Sequence, residues 1–221
     1  MMSIFVIFLG GCDVGDPSSD TGLDELFPWA DEVIAAEGDA SWAVNGARGL
    51  GEYQGSTDVY SLDFDANHTL IVGWSSARLT DGPGIDLVVF ENPFEYADGE
   101  IFIDPVVVGV SADGVDFVDF PFAFEGPNPD EWSSDPRHWT GFAGKTPVLL
   151  NEDTNPTDPF EVDLSGGDGF DFADLPSGDP VADDVREGGA VAVRLTAWSR
   201  LKHPVGNGAD IDAVYGRYLS R

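Results

Sequence analysis

Short apolar runs alternate with clusters of Gly, Pro, Asn and Asp along most of this chain, the pattern of strands separated by turns. The runs Val59–Phe64, Thr69–Trp74, Leu87–Glu91, Val106–Ser111, Phe117–Phe120, Ala190–Ala197 and Ala213–Tyr218 each predict a strand. Along Leu87–Glu91, Leu87 and Val89 are expected to face one side and Val88 and Phe90 the other. Between two of the runs, Asp113-Gly114 supplies a hairpin turn. A helical pattern occurs at Leu26–Glu37 (LFPWADEVIAAE), with Pro28 near its start and Gly38 after its end. No strand–helix–strand alternation follows. The expected fold is therefore mostly β: an antiparallel β-sandwich, jelly-roll-like (galactose-binding-like), with one short N-terminal helix.

The first residues break this pattern. MMSIFVIFLGG carries no charge and is too short to span a bilayer, which takes about 20 residues. It fits the apolar core of a secretory signal. Leu9-Gly10-Gly11-Cys12 resembles a bacterial lipobox, which implies a diacylglycerol anchor on Cys12. Residues 1–11 are thus expected to be a lipoprotein signal peptide, residues 12–25 a polar tether, and residues 26–221 a single domain held outside the cytoplasm at a membrane. Cys12 is the one cysteine, so no internal disulfide is available to an exported chain.

Charge narrows the partners. A formal charge of -31, from 41 acids against 10 bases, repels phosphate backbones, so nucleic acid is an improbable partner and cations are natural ones. The acids comprise 29 Asp against 12 Glu, and Asp is both a turn residue and a short, stiff oxygen ligand for hard cations. A generally acidic, solubilising surface explains the same bias.

The most specific stretch is Thr80–Phe94, TDGPGIDLVVFENPF, in which acids stand at both ends of an apolar strand. Its DGPG-x-D-x-x-V-F-E-N core (Asp81–Asn92), the block VGVSADGVDFVDF (Val108–Phe120), GGDGFDFAD (Gly166–Asp174), DIDAV (Asp210–Val214) and GSTDVYSL (Gly55–Leu62) are together similar to a family of bacterial cell-surface proteins and lipoproteins of unassigned activity. The resemblance implies one displayed β-sandwich domain and supplies no activity. Two positions depart from the pattern: Leu87 stands where Phe is usual, and Asp104 where Glu usually precedes the proline.

Calcium gathers six to eight oxygens at about 2.3–2.6 Å, often from distant loops. A sandwich brings such loops to one end, so Asp81, Asp86, Glu91, Asp210 and Asp212 are a candidate calcium site. Asp168, Asp171 and Asp174 are a second candidate metal set. The competing reading has Asp81 capping a turn, Asp86 and Glu91 paired with Arg78 or Arg194, and Asp212 merely ending a strand.

The long segment Gly126–Pro159 holds Trp132, His138 and Trp139, a candidate ligand-binding group that would stack on sugar rings or, alternatively, pin the loop to the domain. Nucleophile-elbow, HExxH and phosphate-loop motifs are absent from the sequence. The expected protein is a non-catalytic, calcium-stabilised surface lipoprotein binding a glycan or another envelope component. Alternatives are an extracytoplasmic glycan hydrolase with paired carboxylates and a purely structural envelope domain.

Overall fold

A computed structural model of the chain describes residues 26–56, 58–63, 68–97, 99–201, 206 and 208–221. The signal segment 1–11, the tether 12–25 and Cys12 lie outside the described residues. Nine strands build the two larger sheets: β1 (Glu32–Ala35), β2 (Tyr60–Leu62), β3 (Thr69–Gly73), β4 (Leu87–Glu91), β5 (Val106–Ser111), β6 (Val118–Asp119), β7 (Asp168–Phe170), β8 (Ala192–Ala197) and β9 (Ala209–Gly216). One sheet has the order β1-β3-β8-β5-β6 and the other β7-β4-β9-β2, and every pairing within them is antiparallel. Apart from the β5–β6 hairpin, each connection passes from one sheet to the other.

Alternation along the strands explains why the sheets hold together. Leu70 and Val72 of β3, Val108 and Val110 of β5, and Val193 and Leu195 of β8 share one apolar cluster with Leu62, Leu87, Val89, Ile211 and Val214 of the other sheet. Val88 and Phe90 point the opposite way and join Ala47, Val148, Leu150, Ala213 and Tyr215. The facing predicted for Leu87–Glu91 is thus observed. Because segments cover its outer side too, β4 is buried at all five positions. Each of its four apolar side chains contributes roughly 1.5–3 kcal/mol of burial before entropy is subtracted. On the other sheet, Val107 turns outward beneath Ile103, Trp139 and Phe142.

The expected N-terminal helix is a strand. Glu32–Ala35 pairs with β3, and residues just before it reach the other sheet: the Ala30 N–H donates to the Val214 carbonyl at 2.8 Å. The Asp31 carboxylate accepts from the Ser75 N–H and hydroxyl at 2.7 and 2.9 Å. Helix propensity in a dozen residues is worth only tenths of a kcal/mol per position, and this tertiary pairing outweighs it.

A helix does form at Pro180–Gly188, a segment not expected to be one. Its start is well marked: Asp179 accepts from the N–H groups of Val181 and Ala182 at 2.8 and 3.3 Å, and Pro180 occupies the first turn. Ala182 and Val185 then enter the main cluster. Strand β7 likewise arises within a Gly- and Asp-rich stretch, and Gly169 pairs there with Val88. Among the described helices none is long and apolar enough to cross a membrane.

Candidate functional site

Strand β4 carries an acid at each end, and the two ends differ. Before it, the turn Asp81-Gly82-Pro83-Gly84 folds under Tyr218, whose hydroxyl donates to the Pro83 carbonyl at 2.8 Å. A Cβ on Gly82 would lie 2.2 Å from the Tyr218 ring, and Gly84 has φ +80°, so both glycines are required for this turn. Asp86 is fully buried, and one of its oxygens accepts from the Gly82 N–H at 2.9 Å. The other accepts from the Phe172 N–H at 2.7 Å. Burial pushes this carboxyl up to about 6, those two N–H groups work against the rise, and the charges of Asp81 and Asp171 add to it. Asp171 caps the short turn Phe172–Asp174 through the Ala173 N–H at 2.8 Å.

Oxygens of Asp81, Asp86 and Asp171 lie within 4.8 Å of one another. This triad, one side chain exposed, one buried and one between, has the geometry to hold a metal ion. Sequence reasoning divided its members between two candidate sets, because nothing local shows that β7 lies beside β4.

The remaining predicted ligands do not converge there. At about 3.3 Å per residue, Glu91 stands roughly 16 Å from Asp86 along β4. One Glu91 oxygen accepts from the Asp210 N–H at 3.0 Å, and Asp210 takes the Ser61 hydroxyl at 2.5 Å. Asp212 is fully buried elsewhere, both of its oxygens on the Arg48 N–H at 3.2 and 3.0 Å. Burial pushes Asp212 up to about 7, opposed by the Arg48 N–H, while the Asp58 charge raises it further. The second expected set also separates. Asp168 accepts from the N–H groups of Gly144 and Lys145 at 2.9 and 3.1 Å and from the Thr146 hydroxyl at 2.8 Å, while Asp174 is exposed. Neither proposed arginine partner is used as expected: Arg78 donates to the Gly188 carbonyl and Arg194 pairs with Asp119 at 2.9 Å.

The Trp132–His138–Trp139 group belongs to the loop's own packing. Trp139 is wholly buried and its indole N–H donates to the Ser133 carbonyl at 2.9 Å, while that of Trp132 donates to the Ile103 carbonyl at 2.8 Å. His138 Nδ1 lies 2.7 Å from the Ser133 hydroxyl. A ring with both faces packed cannot stack on a sugar, so Trp139 is no stacking platform. An open aromatic groove lies nearby instead. Phe122, Phe124, Pro129 and Trp198 line about 220 Å³, and a neighbouring hollow of about 320 Å³ shares Phe122 and adds Thr69, Arg194, Asp119 and Thr196. Its only signal in the sequence is the spacing of Phe122, Phe124 and Trp198 beside strand ends. No family model, curated protein or solved structure matches the chain.

Proposed function

We propose that this chain is a non-catalytic β-sandwich, displayed outside the cytoplasm through a lipid on Cys12, that binds calcium and presents a face to a glycan or another envelope component. One observation carries the reading: Asp81, Asp86 and Asp171 arrive from two distant segments with their oxygens within 4.8 Å of one another. Like charges gathered this closely repel, and a hard divalent ion converts that cost into stabilisation. Oxygen donors alone favour calcium over zinc, and a chain of net charge -31 concentrates cations around itself. The sandwich reading is supported by the apolar cluster common to both sheets and by connections that keep switching between them. The resemblance to surface lipoproteins and the Cys12 motif support the address.

The groove around Phe122 and Trp198 favours the glycan-binding part. Aromatic rings stack on pyranose faces, and the adjacent Arg194–Asp119 pair offers donors and acceptors to hydroxyls. A hydrolase in the Trp132–Trp139 region is less well supported, since Asp135 is held ionised at about 2 by hydrogen bonds from Arg137 and so makes a poor general acid. The test is calorimetric titration of the full-length chain with calcium, beside its D81N/D171N variant. Micromolar binding by the parent chain is expected, with one equivalent of it removed or weakened at least tenfold by the substitutions. Equal binding by both chains, or by neither, removes the triad reading.

A further inference from the structure

Buried carboxylates are costly unless something positive or a hydrogen-bond donor meets them. At the far end of β4 two carboxyls depart from this rule, and a buried amide lies next to one of them in the chain. Glu91, Asn92 and Asp104 are 2%, 5% and 3% exposed. Glu91 Oε2, Asn92 Oδ1 and Asp104 Oδ1 are all shut off from solvent with no hydrogen-bond partner among the described residues. Among the described residues, the charges acting on Glu91 are Asp104, Asp210 and Asp168, all negative, and that acting on Asp104 is Asp210. Lys145 is turned to Asp168, at 3.7 Å.

Two oxygens of this group converge on Gly144. A Cβ placed on Gly144 would stand 2.6 Å from the Asp104 carbonyl oxygen and 2.9 Å from Glu91 Oε2, so both oxygens lie against this residue and only glycine fits between them. Gly144 also has φ +90°. The surroundings are fixed by backbone pairing. Ala143 exchanges hydrogen bonds with Val106 at 2.9 and 3.0 Å, which ties the Gly144 loop to the segment carrying Asp104. Asp168 holds the Gly144 N–H, the Asp210 N–H holds the second Glu91 oxygen, and the Asn92 N–H donates to the Asp210 carbonyl at 3.1 Å. These bonds hold Glu91, Asp104 and Gly144 in fixed relation to one another.

We propose that Glu91 and Asp104 form a second, buried site for a hard divalent cation, separate from the aspartate triad at the opposite end of β4. It deepens the calcium reading above but rests on different residues. Glu91 Oε2, Asp104 Oδ1 and the Asp104 carbonyl supply oxygens from two segments. Waters complete the six to eight ligands calcium takes. Nitrogen and sulfur donors are missing from this set, which disfavours zinc and copper. The competing account is that the two carboxyls simply share protons, since burial raises Glu91 well above its ordinary range and Asp104 to about 8.

The deciding experiment uses the full-length chain carrying D81N/D171N, stripped with chelator and titrated with calcium chloride at pH 7.5 in a calorimeter. One equivalent of calcium is expected, and it disappears when E91Q/D104N is added. Wild type is expected to take two equivalents, and E91Q/D104N alone to keep one. If E91Q/D104N retains the wild-type stoichiometry, or D81N/D171N binds nothing, the second site is refuted while the triad reading stands or falls on its own arm. Should the combined variant fail to fold, melting of D81N/D171N decides. A rise on the order of 5 °C with saturating calcium supports the site, and an unchanged melting temperature leaves only shared protons and overturns it.

Discussion

The two ends of β4 hold one buried acid each, and they have solved burial differently. Asp86 gives each oxygen a backbone N–H, from Gly82 and from Phe172, and its neighbours Asp81 and Asp171 reach towards solvent. Glu91 receives a single N–H, from Asp210, and its other oxygen meets further buried acid rather than a donor. Burial alone thus says little about a carboxylate. What distinguishes the ends is the supply of donors: a cation at the Asp86 end would add to N–H groups already in place, whereas at the Glu91 end it would stand in for missing ones.

Four measurements break or sharpen that contrast, beginning with the largest effect. Asp86, Asp212 and Asp104 are raised to about 6, 7 and 8, against an ordinary value of 3.8. A carboxyl raised on folding keeps its proton longer in the native state, so the native chain binds more protons than the unfolded one between these limits. Stability in chelator should therefore be greatest near pH 4, because Asp135 is held low, and fall as pH climbs from there to 8. Urea melts across that range, with and without calcium, check this. D104N should flatten the upper part of the fall and D86N the lower part, and a flat profile for the wild-type chain in chelator would contradict it. Next, Asp168→Ala strands the N–H groups of Gly144 and Lys145 inside the fold and should cost about 3 kcal/mol in a urea titration. A loss below about 1 kcal/mol would mean the Gly144 loop is not held by this acid.

The sharpest comparison makes one chemical change at both ends, again in chelator at pH 8. Asp86→Asn leaves one acceptor for two N–H groups and should destabilise by about 1–3 kcal/mol. Glu91→Gln removes repulsion and should leave stability unchanged or higher. Opposite signs are the point, and a matching loss at both positions would erase the distinction. The smallest effect is that of Asp171→Ala, which deletes a cap and should cost about 0.5–1 kcal/mol without calcium. With calcium the loss should grow, because a ligand leaves with the cap.

Much of this was readable before the fold was known. The limits of β4 and β5 follow directly from their apolar runs, and the alternation of Leu87 and Val89 against Val88 and Phe90 already assigned the two faces. The Asp179-Pro180 pair marks a helix start by the ordinary rules, so the helix after it is legible in the sequence. Leu26–Glu37 misled because Ala35, Ala36 and Glu37 favour a helix locally, while Val33 pairs with Val72 on a strand far along the chain. The acids carry no such local mark. That Asp171 joins Asp81 and Asp86, or that Asp104 faces Glu91, depends on which strands lie side by side, and no spacing in the sequence encodes that.

The margins of both sheets bear on how the molecule behaves in a crowd. Each sheet ends on short strands: β1 and β6 of four and two residues on one, β7 and β2 of three each on the other. An unpaired edge is a template for another chain to add a strand, and the length of the exposed ladder sets how many hydrogen bonds such an intruder gains. Here the longer strands are kept in the interior of the sheets, and the borders offer only brief stretches of backbone. Many copies packed together would find little to zip onto, so resistance to aggregation is built into the order of the strands.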